Sequence, residues 1–296
     1  MINEEAILKG ITPKNDIIFR KIFGMKGNEG ILKDFLEGIL DIKIKSVELD
    51  LGTELLPDFY EGKSSRLDVR AKLDDGTNIN VEIQTKMEDY SDARDLMYWS
   101  KLYMSSVGKG EKYTDAQKTI CIWILDGKVY DFNKYHSEWI ITEKELGATM
   151  CFKDFEIHVI ELQKFRKLAI MKPERRDFWL WFIDHTRKEL VDMACYSNEE
   201  VRKAKEEYDK ITADKTLMSL IIAAEIDEMD ERTRIANAEE KGIARGMERG
   251  MEKGKKEANI EVAKRMLEMG LEIEVIEKAT KLTKEEILRI HAKEQN

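Results

Sequence analysis

The stretch "RLDVRAKLDDGTNINVEIQTK", residues 66–86, decides how this chain folds. Leu67, Val69, Ala71 and Leu73 alternate with polar residues before Asp74-Asp75-Gly76, and Ile79, Val81 and Ile83 alternate after it. Period-two alternation on both sides of a turn signal predicts a β-hairpin with one apolar face. Its register follows from parity, because the apolar positions are all odd-numbered. Residues directly opposite in an antiparallel ladder share a face, so burying both apolar sets requires paired numbers with an even sum. A two-residue Asp75-Gly76 turn pairs 74 with 77 and sets every hydrophobe against a polar partner. A three-residue loop of Asp74, Asp75 and Gly76, with the glycine left-handed, pairs 73 with 77 and sets Asp68 opposite Glu82.

Two like charges placed opposite each other destabilise a sheet unless something positive sits between them. Two carboxylates, a carbonyl and waters suit a hard octahedral cation such as Mg²⁺. Arg70, Asn80, Gln84 and Lys86 continue the same row, surrounding the acid pair with donors and positive charge of the kind that holds a phosphodiester and its attacking water. A polar row is also what the solvated face of a hairpin looks like, and register alone leaves both readings open.

Outward from the hairpin, "DIIFRKIFG" and the apolar positions Ile31, Leu32, Phe35, Leu36 and Ile39 have helical spacing, broken into two pieces by Gly24, Gly27 and Gly30. "IKIKSVELDL" reads as a strand, Tyr90–Val107 as a helix, "KTICIWIL" as a buried strand and "FEIHVIEL" as another. Helix, three strands, helix, strand, strand is a mixed α/β domain, residues 10–165. Beyond it the texture is helical: an extension over 166–230, whose aromatics near Trp179 read as core packing, then a glycine repeat over 231–256 and a small helix-turn-helix-like tail over 257–296. In the repeat, Gly242, Gly246, Gly250 and Gly254 each follow a basic residue, and Arg232 to Lys256 holds eight basic and four acidic residues. Each interior glycine costs about 1 kcal/mol against alanine, so the segment reads as a linker or as a self-associating helix that offers charge to phosphate. In the tail, Thr283 three residues before Glu286 is a capping-box signature, and a plain tri-helical packing unit is the alternative to a DNA reader.

The net charge of −9 argues against coating nucleic acid by bulk electrostatics but leaves a local basic patch possible. The longest apolar run, from Leu217, falls far short of the roughly 18 to 20 residues of a membrane span, and the start of the chain lacks the pattern of a secretory leader. Cys121, Cys151 and Cys195 stand alone, with neither disulfide nor zinc spacing, which fits a soluble protein of the reducing cytoplasm. No phosphate-cradling glycine loop, GxSxG elbow or HExxH is present, and His136, His158, His185 and His291 are scattered in sequence, reading as packing or surface residues.

Together, "PKNDIIFRKIFG", "RLDVRAKLDDGTNINVEIQ", "DARDLMYWSKLYMSSVGKGEKY" and "FEIHVIELQKF" resemble the PD-(D/E)XK nuclease family transposases, the Rpn family of recombination-promoting nucleases. The likeness covers roughly residues 10 to 190, and the basic-glycine repeat is similar too. It implies a restriction-endonuclease-like mixed sheet flanked by helices, with an all-helical C-terminal region, and Mg²⁺-dependent cleavage of DNA. By position it assigns Asp68 and Glu82 as metal ligands and puts Gln84 where the broader superfamily has lysine. Glutamine can orient a water or a phosphate oxygen but cannot act as a base. Lys86 is the candidate for the missing charge, Asp16 for a further metal ligand, and Asp58, after Pro57, for another. Double-strand cleavage needs two sites, so a homodimer is expected. The rivals are a catalytically silent DNA-binding or assembly protein on a nuclease-like scaffold, and a phosphodiesterase acting on RNA or nucleotides.

Overall fold

A computed structural model describes residues 10–50, 69–85, 87 and 91–294. The chain forms two compact units that divide after Ile222. Among the described residues, no helix is long and apolar enough to cross a membrane.

The first unit opens with helices α1 (Asp16–Phe23) and α2 (Glu29–Leu40). Asn15 caps α1, its side chain accepting from the Ile18 N–H at 3.2 Å. Ile18, Phe19, Ile22 and Phe23 form the buried stripe. The expected break comes at Gly24–Asn28, where Gly27 takes φ +100°. Asn28 then turns back, its side-chain amide donating to the carbonyls of Lys21 and Ile22 at the end of α1, which satisfies carbonyls that a helix terminus leaves open.

Strand β1 (Val47–Leu49) leads to the hairpin of β2 (Val69–Leu73) and β3 (Asn78–Gln84). The loop is the three-residue one: Gly76 has φ +91°, the Leu73 N–H donates to Thr77 O at 2.9 Å, and Val69, Arg70 and Ala71 pair with Val81, Asn80 and Ile79. Helix α3 (Asp92–Ser105) crosses to β4 (Thr119–Leu125), which lies parallel to β3. Next come β5 (His136–Trp139), a two-stranded ribbon of β6 (Thr142–Glu143) and β7 (Gly147–Cys151), and β8 (Phe155–Glu161), parallel to β4 and antiparallel to β5. The six-stranded sheet has the order β1-β2-β3-β4-β8-β5.

All seven residues of β4 are buried because the sheet is covered on both sides. Ile120, Ile122 and Ile124 face the larger core with Ile79, Val81 and Ile83. Cys121, Trp123 and Leu125 face a smaller core with Ile157 and Val159, under Tyr98 and Trp99 of α3. A short α4 (Leu162–Phe165) is followed by α5 (Arg175–Asp184), α6 (Lys188–Ser197) and α7 (Glu199–Ala213). The texture change after residue 165 is not a break in packing. Trp179, Phe182, Val191 and Val201 are buried in the same core as Phe23 and Phe35, with the Trp179 ring 5.5 Å from that of Phe23. The helical extension expected over 166–230 thus closes the larger face of the sheet as far as Ile221.

Helix α8 (Lys215–Glu268) runs unbroken through the glycine repeat. A Cβ added at Gly242, Gly246, Gly250 or Gly254 would meet nothing within 4 Å among the described residues. In the second unit α8 ends at Gly270 (φ +75°), with Gly270 N–H to Leu267 O and Leu271 N–H to Met266 O, the paired bonds of a Schellman stop. Helices α9 (Ile273–Thr280) and α10 (Lys284–Glu294) follow, and Ala263, Ile276, Leu282 and Ile287 form their core. The expected capping box is present: Thr283 N–H donates to Glu286 Oε2 at 3.1 Å, and Glu286 N–H to Thr283 Oγ1 at 3.3 Å.

Candidate functional site

The even-numbered side chains of β3 point toward α3, and the two central ones are not solvated. Asn80 is 0% and Glu82 3% exposed, which removes the solvated-face reading of the polar row. Asn80 Nδ2 donates to Glu82 Oε1 at 3.1 Å. Asn80 Oδ1 is buried and has no hydrogen-bond partner among the described residues. Gln84, half-buried at the end of the strand, accepts at Oε1 from Arg94 Nη1 at 3.2 Å. The Arg94 guanidinium lies 5.3 Å from the ring of Tyr98 and 5.6 Å from that of Trp123, a cation–π arrangement that holds the donor in place.

Helix α3 is fixed over this row. Ser91 caps it by accepting from Arg94 N–H, and Trp99 Nε1 donates to Thr119 O at 2.9 Å at the start of β4. Its first turn carries Asp92 and Asp95, the charge sign the helix dipole favours there. Asp95 is only 3% exposed. Burial pushes the Cys121 thiol far up, and the negative charges of Glu82 and Asp95 push it further, so both carboxylates act on one buried point. Taking a carboxylate out of water costs several kcal/mol unless charge or hydrogen bonds compensate it. The buried Glu82 carboxylate beside the unmatched Asn80 amide oxygen offers hard oxygen donors of the kind a divalent cation takes.

Of the residues singled out from sequence, the structure brings Glu82 and Gln84 onto this face with Asn80. Asp68, Lys86 and Asp58 lie outside the described residues. Asp16 is exposed on the first turn of α1; its carboxylate accepts from the Ile17 N–H at 2.8 Å, and none of its described contacts reaches β3. Sequence reasoning missed Asp95. The signal was a carboxylate at a position of the α3 stripe shared with Tyr98, Trp99 and Leu102, where helical spacing calls for an apolar residue.

At the end of β4, Asp126 N–H donates to Gln84 O at 2.9 Å. The Asp126 carboxylate pairs with Lys14 at 2.7 Å and with Arg166, which also binds Asp184. Burial would raise the Asp126 carboxyl, but Lys14 and Arg166 outweigh it and hold the group below its ordinary value. This network ties the chain before α1 and the end of α5 to the strand ends beside Gln84.

Scattered in sequence, His136 and His158 meet across β5 and β8, with Nε2 and Nδ1 2.8 Å apart. Burial is the main cause holding His136 down at about 3. Burial would raise Glu156, but hydrogen bonds from His158 and Lys118 hold it at about 2.

The model of the PD-(D/E)XK nuclease family transposases matches residues 13–238, and that of the C-terminal HTH domain of the Rpn/YhgA-like nuclease family matches residues 256–292. No curated protein and no solved structure matches. The first match spans the mixed sheet, both of its covered faces and the buried Glu82 row, and the second spans the packed tail behind Gly270, so the chain belongs to the PD-(D/E)XK nuclease family transposases.

Proposed function

We propose that this protein is a divalent-metal-dependent DNA endonuclease, acting on phosphodiester bonds in the recombination or transposition of mobile DNA. The observation that carries the reading is the buried Glu82 beside the unmatched Asn80 Oδ1, on a sheet face that also receives Asp95. The three-residue-loop register expected from the sequence sets Asp68 opposite Glu82. Asp68 and Glu82, with Asp95 from α3, would hold Mg²⁺. When bound, the ion supplies polarisation of a phosphoryl oxygen and a lowered pKa for a coordinated water. Gln84, oriented by Arg94, positions a water or phosphate oxygen. Lys86 supplies positive charge, and Asp16 remains a candidate for a further ligand. The HTH domain supports DNA as the partner, and two copies of the chain would let both strands be cut.

The test is nicking of supercoiled plasmid in Mg²⁺ and in EDTA. Cleavage is expected in Mg²⁺ alone, and Glu82→Gln or Asp68→Ala should abolish it while the melting temperature holds. Undiminished cleavage by both variants would overturn the assignment. The second reading, a silent DNA-binding protein, draws its support from the HTH match and the open basic-glycine face of α8. Tight DNA binding in EDTA with no nicking under any divalent cation would favour it.

A further inference from the structure

The pair His136–His158 belongs to a larger constellation on the side of the sheet away from Glu82. His158 pairs in register with Ile122, which faces the larger core, whereas Glu82 pairs with Trp123 of the smaller one. Glu138 lies directly across from His158 on β5, and Glu156 precedes His158 by two residues on the same face of β8. One ligand-capable atom from each of Glu138, Glu156 and His158 lies within 4.8 Å of the others. His158 is buried, Glu156 half-buried and Glu138 exposed. Glu138 and His158 border a cavity of about 220 Å³ that His136, Lys134 and Arg176 also line.

We propose that Glu138, Glu156 and His158 form a second metal site, distinct from the Glu82 row, that takes a borderline transition metal such as Zn²⁺ rather than Mg²⁺. One imidazole nitrogen and two carboxylate oxygens suit Zn²⁺, and three protein ligands leave a fourth position open toward the cavity. Glu156 is already divided between two partners. Its Oε2 meets Lys118 Nζ at 2.6 Å and its Oε1 meets His158 Nε2 at 2.7 Å. Lys118 can therefore keep the carboxylate oriented while Oε1 turns to the metal. His136 stands behind His158 as the hydrogen-bond partner that metal-bound imidazoles generally have.

The hydrogen bonds also say what binding must rearrange. Arg176 Nη1 lies 3.2 Å from His136 Nδ1, and a guanidinium only donates, so Nδ1 accepts and the His136 proton sits on Nε2. That proton is donated to His158 Nδ1, which leaves the His158 proton on Nε2, facing Glu156. A metal on Nε2 requires the reverse: His158 carries its proton on Nδ1 and donates it to His136 Nε2, and His136 carries its own on Nδ1. Each ring keeps one proton and none is released, but the Arg176 hydrogen bond is lost. Arg176 therefore opposes metal binding.

The test titrates the full-length Glu82→Gln protein with Co²⁺ and, by calorimetry, with Zn²⁺. One equivalent with the intense visible bands of tetrahedral cobalt is expected. Glu138→Gln, at an exposed position that leaves the core intact, should weaken binding by about tenfold or more, and Arg176→Met should tighten it. His158→Gln, checked for folding by its melting curve, should remove the cobalt bands. Bands and affinity unchanged by Glu138→Gln and His158→Gln, or binding only at millimolar metal, would overturn the proposal. Because the Glu82 row is disabled throughout, these outcomes are independent of whether the protein nicks DNA.

Discussion

The two faces of the central sheet hold their polar groups in different ways. Under α3, three of them come from one strand: Asn80, Glu82 and Gln84 share a row because side chains alternate along β3. At the far edge, Glu138, Glu156 and His158 come from two strands joined through the β6–β7 ribbon, and only the antiparallel register brings them together. A row within one strand is set by local periodicity and survives small shifts of its neighbours. A cluster across an edge depends on register and is the first thing a slip would disperse.

The largest expected effect tests whether the α3 face is the chemical one. Glu82→Gln keeps the side-chain shape and should lower Mg²⁺-dependent nicking by at least about a thousandfold, equivalent to about 4 kcal/mol of barrier. Loss of less than tenfold would make the two faces chemically alike.

A paired truncation sharpens the contrast. Trp123→Ala and Trp179→Ala each empty a fully buried site and should cost about 3–5 kcal/mol in denaturant unfolding. At temperatures where both variants remain folded, only Trp123→Ala should also depress nicking, because its ring lies beneath Arg94, which holds Gln84. Equal residual activity in the two would mean that Arg94 and Gln84 take no part in cleavage.

The acid limb of stability should report the network that braces the strand ends. The Asp126 carboxyl is lowered in the folded state, so its contribution is present above the unfolded carboxylate range near pH ~4 and is lost as pH falls through the lower folded value. Asp126→Asn should flatten that part of the pH–melting-temperature curve. An unchanged curve would mean that Lys14 and Arg166 are satisfied without it.

Thiol labelling is a finer probe. Exposed Cys151 should react with iodoacetamide in the native protein, while Cys121, buried and beside Glu82 and Asp95, should stay unlabelled until unfolding. The smallest effect lies in the second unit: Thr283→Ala removes one half of the capping box and should lower the stability of α10 by about 1 kcal/mol, read by hydrogen exchange of its first turn.

Much of this fold is legible in the sequence. Parity in the hairpin gave the loop length, the left-handed Gly76 and the pairing of Val69 with Val81, because a two-residue side-chain period leaves one register that buries both apolar sets. The helix break at Gly27, the buried β4 and the Thr283 cap followed from equally local rules. Strand β5 escaped because "HSEW" is a short edge segment without apolar alternation. Asp95 escaped because an acid in a helical stripe reads as solvent-facing until a sheet is packed against it. The glycine repeat left helix and linker open, and the intervening Ala, Arg, Met, Glu and Lys, all strong helix formers, carry α8 through it. The two histidines escaped for the reason that separates the faces: their meeting depends on long-range register rather than spacing.

The hairpin loop carries a consequence for how this chain can vary. Adding or deleting one residue among Asp74, Asp75 and Gly76 would rotate Glu82 and Val81 through each other's places relative to β2, sending the acid into the oily layer beneath α1. Natural length changes at this turn should therefore come in pairs, or bring a compensating bulge in one strand.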